Sequence, residues 1–366
     1  MRPLQLTNSP THQLTNSPTH QLNNYHYLPF RKRLILINEM KMNNRRDFIK
    51  KAGALSIALP LMGAGIGCKL GAEKDVVNVK DTVSEAVKSG FTLDEFGIQL
   101  WSVRDFMEKD AKGTLKALGE YGYNTIESFQ GEDGVFWGMK PKEYATYLSD
   151  INLKTISSHC DPQYALDSKK RDEFKKLVDD ASEIGMQYLI NPYMAFLKTQ
   201  DEFKKATDGM NELGLICEKN GIQYCYHNHA YSFQPIDGVL PQDIMMDGTK
   251  GGPVGFEMDI YWVAAAGADP IAWLKKHPNR FVLSHVKDRY KETKIAEIMK
   301  DENVDDKTAV SASCVLGTGQ LDFHKILAVA KANGMKRYIV EHERYDDMTS
   351  LQAVEKDASY MKQFRV

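Results

Sequence analysis

The sequence predicts an α/β protein whose residues 96–366 form a closed (β/α)8 barrel. From Phe96 onward, short runs rich in β-branched and aromatic residues alternate with amphipathic stretches, which is the pattern of a parallel sheet with crossover helices. Eight such units follow one another at a spacing of about 34 residues, as a barrel of this kind requires. No GxGxxG follows the first strand, so an open dinucleotide-binding sheet is the second choice.

The eight predicted strands are short runs, each bounded by turn-forming residues. They are Gly97–Val103, Asn124–Phe129, Lys154–His159, Tyr188–Pro192, Gln223–Asn228, Gly255–Tyr261, Phe281–Val286 and Tyr338–Glu341. Amphipathic periodicity predicts helices that include Asp172–Ile184, Asp201–Lys219, Ile271–His277 and Phe323–Ala332. Four glycines stand where a helix would end and turn toward the next strand: Gly122, Gly185, Gly221 and Gly334.

Polar residues end nearly every predicted strand. They are Arg104 and Asp105, Glu127, His159, Asn191, His227 to His229, Glu257 and Asp259, His285, Lys287 and Asp288, and Glu341 to Glu343. The active site of a (β/α)8 barrel lies at the C-terminal ends of its strands. We therefore expect these side chains to share one polar mouth.

Four of these residues, one from each of the last four strands, form a candidate metal site. His227, Asp259, His285 and Glu341 supply two imidazoles and two carboxylates, a set suited to Mn²⁺, Co²⁺, Zn²⁺ or Fe²⁺. Their spacing alone is not a metal signature. The prediction depends on their repeated position late in successive strands, which a closed barrel brings together.

Dispersed motifs in the barrel resemble the xylose isomerase-like TIM-barrel superfamily, and in particular its exported sugar phosphate isomerase/epimerase-type proteins. The motifs are Gly97 to Arg104, Tyr226 to His229, Gly255 to Trp262, Ser284 to Asp288, Leu316 to Phe323 and Ile339 to Glu341. The resemblance extends from about Phe96 to the C-terminus. It implies a TIM barrel but specifies the substrate weakly, because such folds host many chemistries.

The resemblance also implies one divalent metal, Mn²⁺ in the first place and Co²⁺, Zn²⁺ or Mg²⁺ as alternatives. In that family a Glu, an Asp, a His and a Glu hold the ion. Asp259, His285 and Glu341 match the last three, whereas His227 stands where the epimerases have a glutamate. One of the two carboxylates that exchange protons with substrate is thus absent.

The resemblance implies proton abstraction next to a carbonyl, through an enediolate, with Glu341 as the base. His159, His229, Lys287 or Glu127 is expected to supply the acid. Reprotonation gives isomerisation or epimerisation, and loss of a neighbouring oxygen gives elimination, as in a keto-glycoside lyase. Expected substrate-binding residues are Trp101, Arg104, His229 and Trp262. A non-catalytic sugar-binding barrel is a further alternative, and the oligomeric state stays open.

Composition and charge exclude other classes. Nine of the 47 Lys and Arg residues but only two of the 49 acidic residues precede Cys68, which leaves a net charge of -9 on the remainder. Such an acidic body disfavours nucleic acid as a partner and favours a small sugar or keto-glycoside. Five cysteines without a CxxC pair disfavour a zinc ribbon or a disulfide scaffold.

The N-terminal segment is expected to direct export. Residues 5–12 repeat without change as 13–20, and we interpret 1–39 as a disordered or non-native extension, with the true start at Met40 or Met42. Residues 40–68 resemble a bacterial twin-arginine signal, with Arg45-Arg46, an uncharged stretch and Cys68. We therefore expect the protein to be periplasmic, with residues 69–95 forming a linker. Whether Cys68 is lipidated stays open.

Overall fold

The computed structural model describes residues 92–292 and 312–364. The repeat, the arginine pair, Cys68 and most of the predicted linker lie outside the described residues, so these expectations stay predictions. Residues 92–95 lead into the barrel and contact the other end of the described chain. The Leu93 backbone N–H donates to the Phe364 carbonyl at 2.6 Å, and the Leu93 side chain is buried.

Eight parallel strands close into a barrel, which confirms the predicted fold class. The ten strands of the described chain are β1 Gly97–Gln99, β2 Thr125–Phe129, β3 Lys154–His159, β4 Tyr188–Asn191, β5 Gln223–His227, β6 Gly255–Asp259, β7 Phe281–Val286, β8 Asp288–Arg289, β9 Ser313–Cys314 and β10 Arg337–Val340. The barrel runs from β1 through β7 to β10, and β10 closes it by pairing with β1, Ile339 opposite Gly97. The short β8 and β9 pair antiparallel outside the barrel.

Helices follow most barrel strands. They are α1 Arg104–Met107, α2 Ala111–Tyr121, α3 Pro141–Asp150, α4 Arg171–Glu183, α5 Gln200–Glu218, α6 Pro241–Gly248, α7 Ile260–Ala265, α8 Pro270–Lys276, α9 Phe323–Ala332 and α10 Ser350–Met361. The four glycines expected at helix ends all have positive φ, from 73° at Gly221 to 99° at Gly122. Among the described helices, none combines the length and apolar character needed to cross a membrane.

Two predicted strands are too long, and both errors have a local cause. The first ends at Gln99 because Leu100–Val103 turns into a 3-10 helix, which the Gln99 side chain caps by accepting from the Trp101 N–H. The sixth ends at Asp259, whose Oδ1 accepts from the Trp262 N–H at 2.9 Å and starts α7. The other strand and helix ends differ from prediction by a residue or none.

The core has two parts. A large apolar cluster fills the space between the strands and the surrounding helices. A smaller one lies among the strands and consists of Ile156, Tyr188, Ile190, Cys225, Val282, Leu283 and Ile339. Cys225 and Leu283 each stand two residues before a histidine of the same strand, so both members of each pair point to the same side, and Ile339 stands two residues before Glu341, which directly follows its strand. Each of these strands is thus apolar first and polar at its C-terminal end.

A glycine inside α5 gives a stability prediction. An alanine Cβ at Gly209 would lie 1.8 Å from the Ala165 carbonyl oxygen, so the helix must shift. Although alanine favours helix by about 1 kcal/mol over glycine, we expect Gly209→Ala to lower the unfolding free energy by about 1–3 kcal/mol. Thermal unfolding measures this. Gly252→Ala, where the nearest atom lies 3.4 Å away, is the control. A Gly209→Ala variant as stable as wild type would contradict the close approach.

Candidate active site

Four polar side chains from consecutive barrel strands converge at the C-terminal ends of these strands. Asp259 Oδ2 lies 3.9 Å from His227 Nε2 and 3.8 Å from His285 Nδ1. Glu341 Oε2 lies 3.2 Å from His285 Nδ1. All four residues are buried. The structure therefore brings together His227, Asp259, His285 and Glu341, called here the four-residue group.

Three members of the four-residue group lie close enough together to hold a metal ion, and His227 Nε2 lies 3.9 Å from one of them. Each of three residues offers one ligand atom, and these three atoms lie within 4.8 Å of one another: they belong to Asp259, His285 and Glu341. Two ligands on one ion, each about 2.1 Å from it, stand about 3–4 Å apart, as these atoms do. Asp259 Oδ2 is buried and has no hydrogen-bond partner among the described residues. A buried oxygen of this kind is costly unless a cation or donor satisfies it.

A second cluster lies directly against the two histidines of this group. Glu127 Oε1 is 2.7 Å from His285 Nε2, and Glu257 Oε2 is 3.0 Å from His227 Nδ1. His159 Nε2 sits between the two carboxylates, 3.1 Å from Glu127 and 3.2 Å from Glu257. We call Glu127, His159 and Glu257 the supporting triplet.

The supporting triplet is positioned by irregular strands. The pairing of β2 with β3 shifts register between Ile126 and Glu127, and that of β6 with β7 shifts between Phe256 and Glu257. Such bulges re-aim a side chain and concentrate near active sites. The sequence indicates Glu257 only as a polar residue at a strand end and predicts no catalytic, substrate-binding or metal-binding role for it. Its spacing of two residues from Asp259, which puts both on one side of the strand, is the signal that could have placed it here.

Glu341 and Asp259 differ in ionisation. Burial disfavours the charge on Glu341, but Lys287 and His285 hold its pKa well below the usual range. Burial raises the pKa of Asp259 to about 7, against the lowering effect of Lys287. Glu341 is therefore the ionised carboxylate of the group in the absence of a metal.

Lys287 is the cation that faces these carboxylates. Its ammonium Nζ is 3.1 Å from Glu341 Oε2 and 3.9 Å from Asp259 Oδ2, and it also donates to Glu343. Burial opposes its charge, but Glu341 and Glu343 raise the pKa of Lys287 above its usual value. The side chain is 1% exposed. A charged ammonium donor thus lies next to the four-residue group.

Aromatic rings flank one side of the group. The His229 ring is 4.9 Å from the His227 ring, 5.4 Å from Trp262 and stacked on Tyr231. Burial and Lys287 lower the pKa of His229 to about 3, so its imidazole is neutral. His229 Nδ1 and Trp262 Nε1 have no hydrogen-bond partner among the described residues. They are available to a polar ligand.

The other expected substrate-binding residues contact a separate aromatic row. Trp101 packs edge-on against Phe129, which packs in the same way against Trp137. The Arg104 guanidinium lies 4.6 Å from the centre of the Trp101 ring and donates to the Trp101 carbonyl and to the Tyr345 hydroxyl. Arg104 is thereby engaged with neighbouring side chains and backbone of the protein.

A buried carboxylate holds one loop at the end of the barrel. Asp288, just after Lys287, accepts backbone N–H bonds from Gly317, Gly319 and Leu321 at 2.9, 3.0 and 3.3 Å. This explains the Leu316 to Phe323 motif in physical terms. A Cβ at Gly319 would meet the Asp288 carboxylate at 2.2 Å, so only glycine allows the loop to close on it.

Comparisons with known proteins agree with this architecture. A sequence model described as xylose isomerase-like TIM barrel matches residues 115–364. Two crystal structures of a sugar phosphate isomerase/epimerase from Parabacteroides distasonis ATCC 8503 are similar, both with a TM-score of 0.60. The first is 25% identical and covers 74% of this chain and 93% of its own. The second is 27% identical and covers 73% of this chain and 96% of its own.

More distant similarity concerns the fold alone. The structure of the IOLI protein with a binding zinc atom is 17% identical, with a TM-score of 0.58, and covers 74% of this chain and 97% of its own. Comparison with curated protein sequences gives no match.

Proposed function

This chain belongs to the xylose isomerase-like TIM barrel family, and we propose that it is a divalent-metal-dependent sugar isomerase or epimerase. The observation that carries the proposal is the convergence of His227, Asp259, His285 and Glu341 at the C-terminal ends of four consecutive strands, the end at which barrels of this type act. The two Parabacteroides distasonis structures, described as sugar phosphate isomerase/epimerase, support the reaction class.

In this proposal the four-residue group holds one divalent ion, with Mn²⁺ the first choice. The bound metal would polarise the substrate carbonyl and stabilise the negative charge that develops on its oxygen. A mixed set of imidazoles and carboxylates with an unsatisfied Asp259 oxygen supports this assignment.

Glu341 is the proposed base. Its carboxylate is ionised because Lys287 and His285 face it, so it can accept the proton from the carbon next to the carbonyl. The C–H bond breaks, its electrons move toward the carbonyl oxygen, and the proton goes to a Glu341 oxygen. Delivery of a proton to the neighbouring carbon, with transfer of the hydroxyl proton of the enediol to the former carbonyl oxygen, completes an isomerisation. Delivery of a proton to the same carbon from the opposite face, by a second donor, gives an epimer.

Lys287 is the proposed acid, adjacent to the proposed base. Its ammonium stands 3.1 Å from Glu341 Oε2 and packs 5.0 Å from the Trp262 ring. It can stabilise negative charge on a substrate oxygen or protonate a leaving oxygen. His229 and Trp262 supply unpartnered nitrogen atoms for sugar hydroxyls, and the Trp262 ring offers an apolar face.

A keto-glycoside lyase is the second candidate, and the position of His227 favours it. The epimerases that this chain resembles have a carboxylate there, which completes a pair on both faces of the carbon. His227 instead directs Nδ1 to Glu257 and Nε2 toward Asp259, so it is not placed to act as that second base. Elimination needs one base and one acid, and Glu341 with Lys287 provides them.

A reaction in D₂O distinguishes these outcomes. The full-length protein is incubated with Mn²⁺ and a panel of keto-sugars and 3-keto-glycosides, and the products are analysed by mass spectrometry. Isomerisation or epimerisation should add one deuterium to an otherwise unchanged sugar mass, and elimination should release the aglycone or second sugar. Binding without deuterium uptake or cleavage across the panel would favour the non-catalytic alternative and refute the proposed enzyme.

Export by the twin-arginine pathway is proposed on the basis of the sequence alone. The pathway reads the paired guanidinium groups of Arg45 and Arg46, so we expect Arg45→Lys combined with Arg46→Lys to leave the protein in the cytoplasm. Fractionation of the native bacterium measures this. Lys50→Arg is the control, since it preserves charge outside the pair. Unchanged periplasmic or membrane-bound protein in the double variant would refute the interpretation of residues 40–68.

A further inference from the structure

The two histidines of the four-residue group each use both ring nitrogens. His227 turns Nε2 toward Asp259 at 3.9 Å and Nδ1 toward Glu257 at 3.0 Å. His285 turns Nδ1 toward Asp259 and Glu341, at 3.8 and 3.2 Å, and Nε2 toward Glu127 at 2.7 Å. Each ring therefore has one nitrogen facing the proposed ion and the other facing a buried glutamate.

A neutral imidazole carries one N–H and one lone pair, so the two nitrogens cannot both be ligands without losing the ring's last proton. A carboxylate can only accept. The glutamates therefore retain the proton on Nδ1 of His227 and on Nε2 of His285, which leaves the lone pairs at Nε2 and Nδ1 for a metal. The same geometry argues against a second ion among His159, His227, Glu257 and His285, although these four residues lie close enough to hold one.

Each glutamate is itself fixed. Glu127 accepts from Gln99 Nε2 at 2.8 Å and from Ser157 Oγ at 2.7 Å, in addition to His285. The His159 ring nitrogen lies between Glu127 and Glu257 and joins them. Both glutamates are 0% exposed. Their hydrogen bonds are made to Gln99, Ser157 and the histidines, which fixes both carboxylates.

We propose that Glu127, His159 and Glu257 are positioning residues that set the ring orientation and tautomer of His227 and His285 for metal binding. This inference rests on the proposed function and replaces the expected role of Glu127 and His159 as proton donors. Carboxylates that accept from a metal-ligating histidine typically contribute about 10–100-fold to metal affinity. Glu127 occupies that position for His285, and Glu257 occupies it for His227 while also lying 3.3 Å from His285 Nε2. His159 couples the two carboxylates.

The test measures metal affinity rather than turnover. Metal-free full-length protein is titrated with Co²⁺, and the visible absorption of the bound ion gives stoichiometry, dissociation constant and ligand geometry. Wild type should bind one ion. Glu127→Gln and Glu257→Gln should each raise the dissociation constant by about 10–100-fold and change the Co²⁺ spectrum, because the amide holds the ring N–H less strongly. His159→Gln should weaken binding as well, since it frees both carboxylates.

Asp357→Asn is the matched control. Asp357 is a buried carboxylate paired with His342 at 2.7 Å, but it contacts neither His227 nor His285. Its loss should leave Co²⁺ affinity within about twofold of wild type, whatever it does to thermal stability. If either glutamate variant fails to fold, Ser157→Ala serves in its place, because it removes one support of Glu127 and should raise the dissociation constant by less than Glu127→Gln would.

Three results would overturn the inference. Unchanged Co²⁺ affinity in the triplet variants and Ser157→Ala, with normal binding by wild type, would show that the triplet does not position the ligands. Two ions per chain would show that it is a metal site instead. No binding by wild type would refute the proposed function and this inference with it.

Discussion

The Glu341→Gln variant should lose turnover almost completely while it stays folded. Glutamine has the shape of glutamate and keeps one oxygen able to contact an ion, but its amide cannot accept the proton next to the carbonyl. Loss of a single acid–base residue costs about 10²–10⁴-fold in kcat. Because Glu341 also belongs to the four-residue group and faces His285 at 3.2 Å, weaker metal binding should increase the loss further.

Steady-state kinetics on a substrate from the D₂O panel measure this effect, together with circular dichroism and metal content. Glu343→Gln is the matched control, since it removes a carboxylate from the same Lys287 ammonium but leaves the four-residue group whole. We expect it to reduce kcat by less than about tenfold. A Glu341→Gln variant that retains more than a tenth of the wild-type kcat would place the base elsewhere.

The Asp259→Asn variant should lose metal binding and the stabilisation that metal provides, without losing the local fold. The two oxygens of Asp259 have separate roles: Oδ1 caps α7 by accepting from Trp262, and Oδ2 is unpartnered. Asparagine caps a helix about as well as aspartate, so only the ligand oxygen is lost. For wild type, a metal at 100 times its dissociation constant should add about 2.7 kcal/mol of stability.

Thermal unfolding with and without Mn²⁺ measures that increment, which should vanish in Asp259→Asn. The metal-free variant should be at least as stable as metal-free wild type at pH 8. Burial raises the pKa of Asp259 to about 7, so the cost of its charge to the folded state builds up as pH rises from the ordinary carboxyl range to that value and is fully present at pH 8. The surface variant Asp243→Asn should keep the full increment. A wild-type protein whose melting temperature no divalent ion raises would contradict the metal site.

The barrel itself could be predicted from the sequence because each strand is a continuous run with a clear end. The convergence of four polar residues followed from that, since their positions late in successive strands decide where they meet. How deep each polar side chain lies within the barrel could not be predicted. Glu127 and Glu257 follow register shifts in strand pairing, and such a shift depends on the neighbouring strand rather than on the residue's own surroundings in sequence.

The ends of the first and sixth strands were predicted wrongly for a related reason. The run Gly255–Tyr261 gives no sign that it changes structure in the middle, because the start of the helix after it is buried as well. Asp259 sets the boundary through a hydrogen bond that its Oδ1 accepts from the Trp262 backbone N–H. The sequence indicates this carboxylate as a candidate ligand, whereas its role as a helix cap depends on the folded backbone. A residue with two functions is difficult to assign from pattern alone.

Closure of the barrel between its first and last strands has a consequence for biosynthesis. Ile339 pairs with Gly97, and Glu341 follows that closing strand by one residue. A growing chain that has emerged as far as His285 presents three of the four proposed ligands on an open sheet. The fourth ligand and the closing strand arrive together, so tight metal capture coincides with the end of folding. If the proposed metal site is correct, the ion would then be chosen by its availability in the compartment where the chain folds.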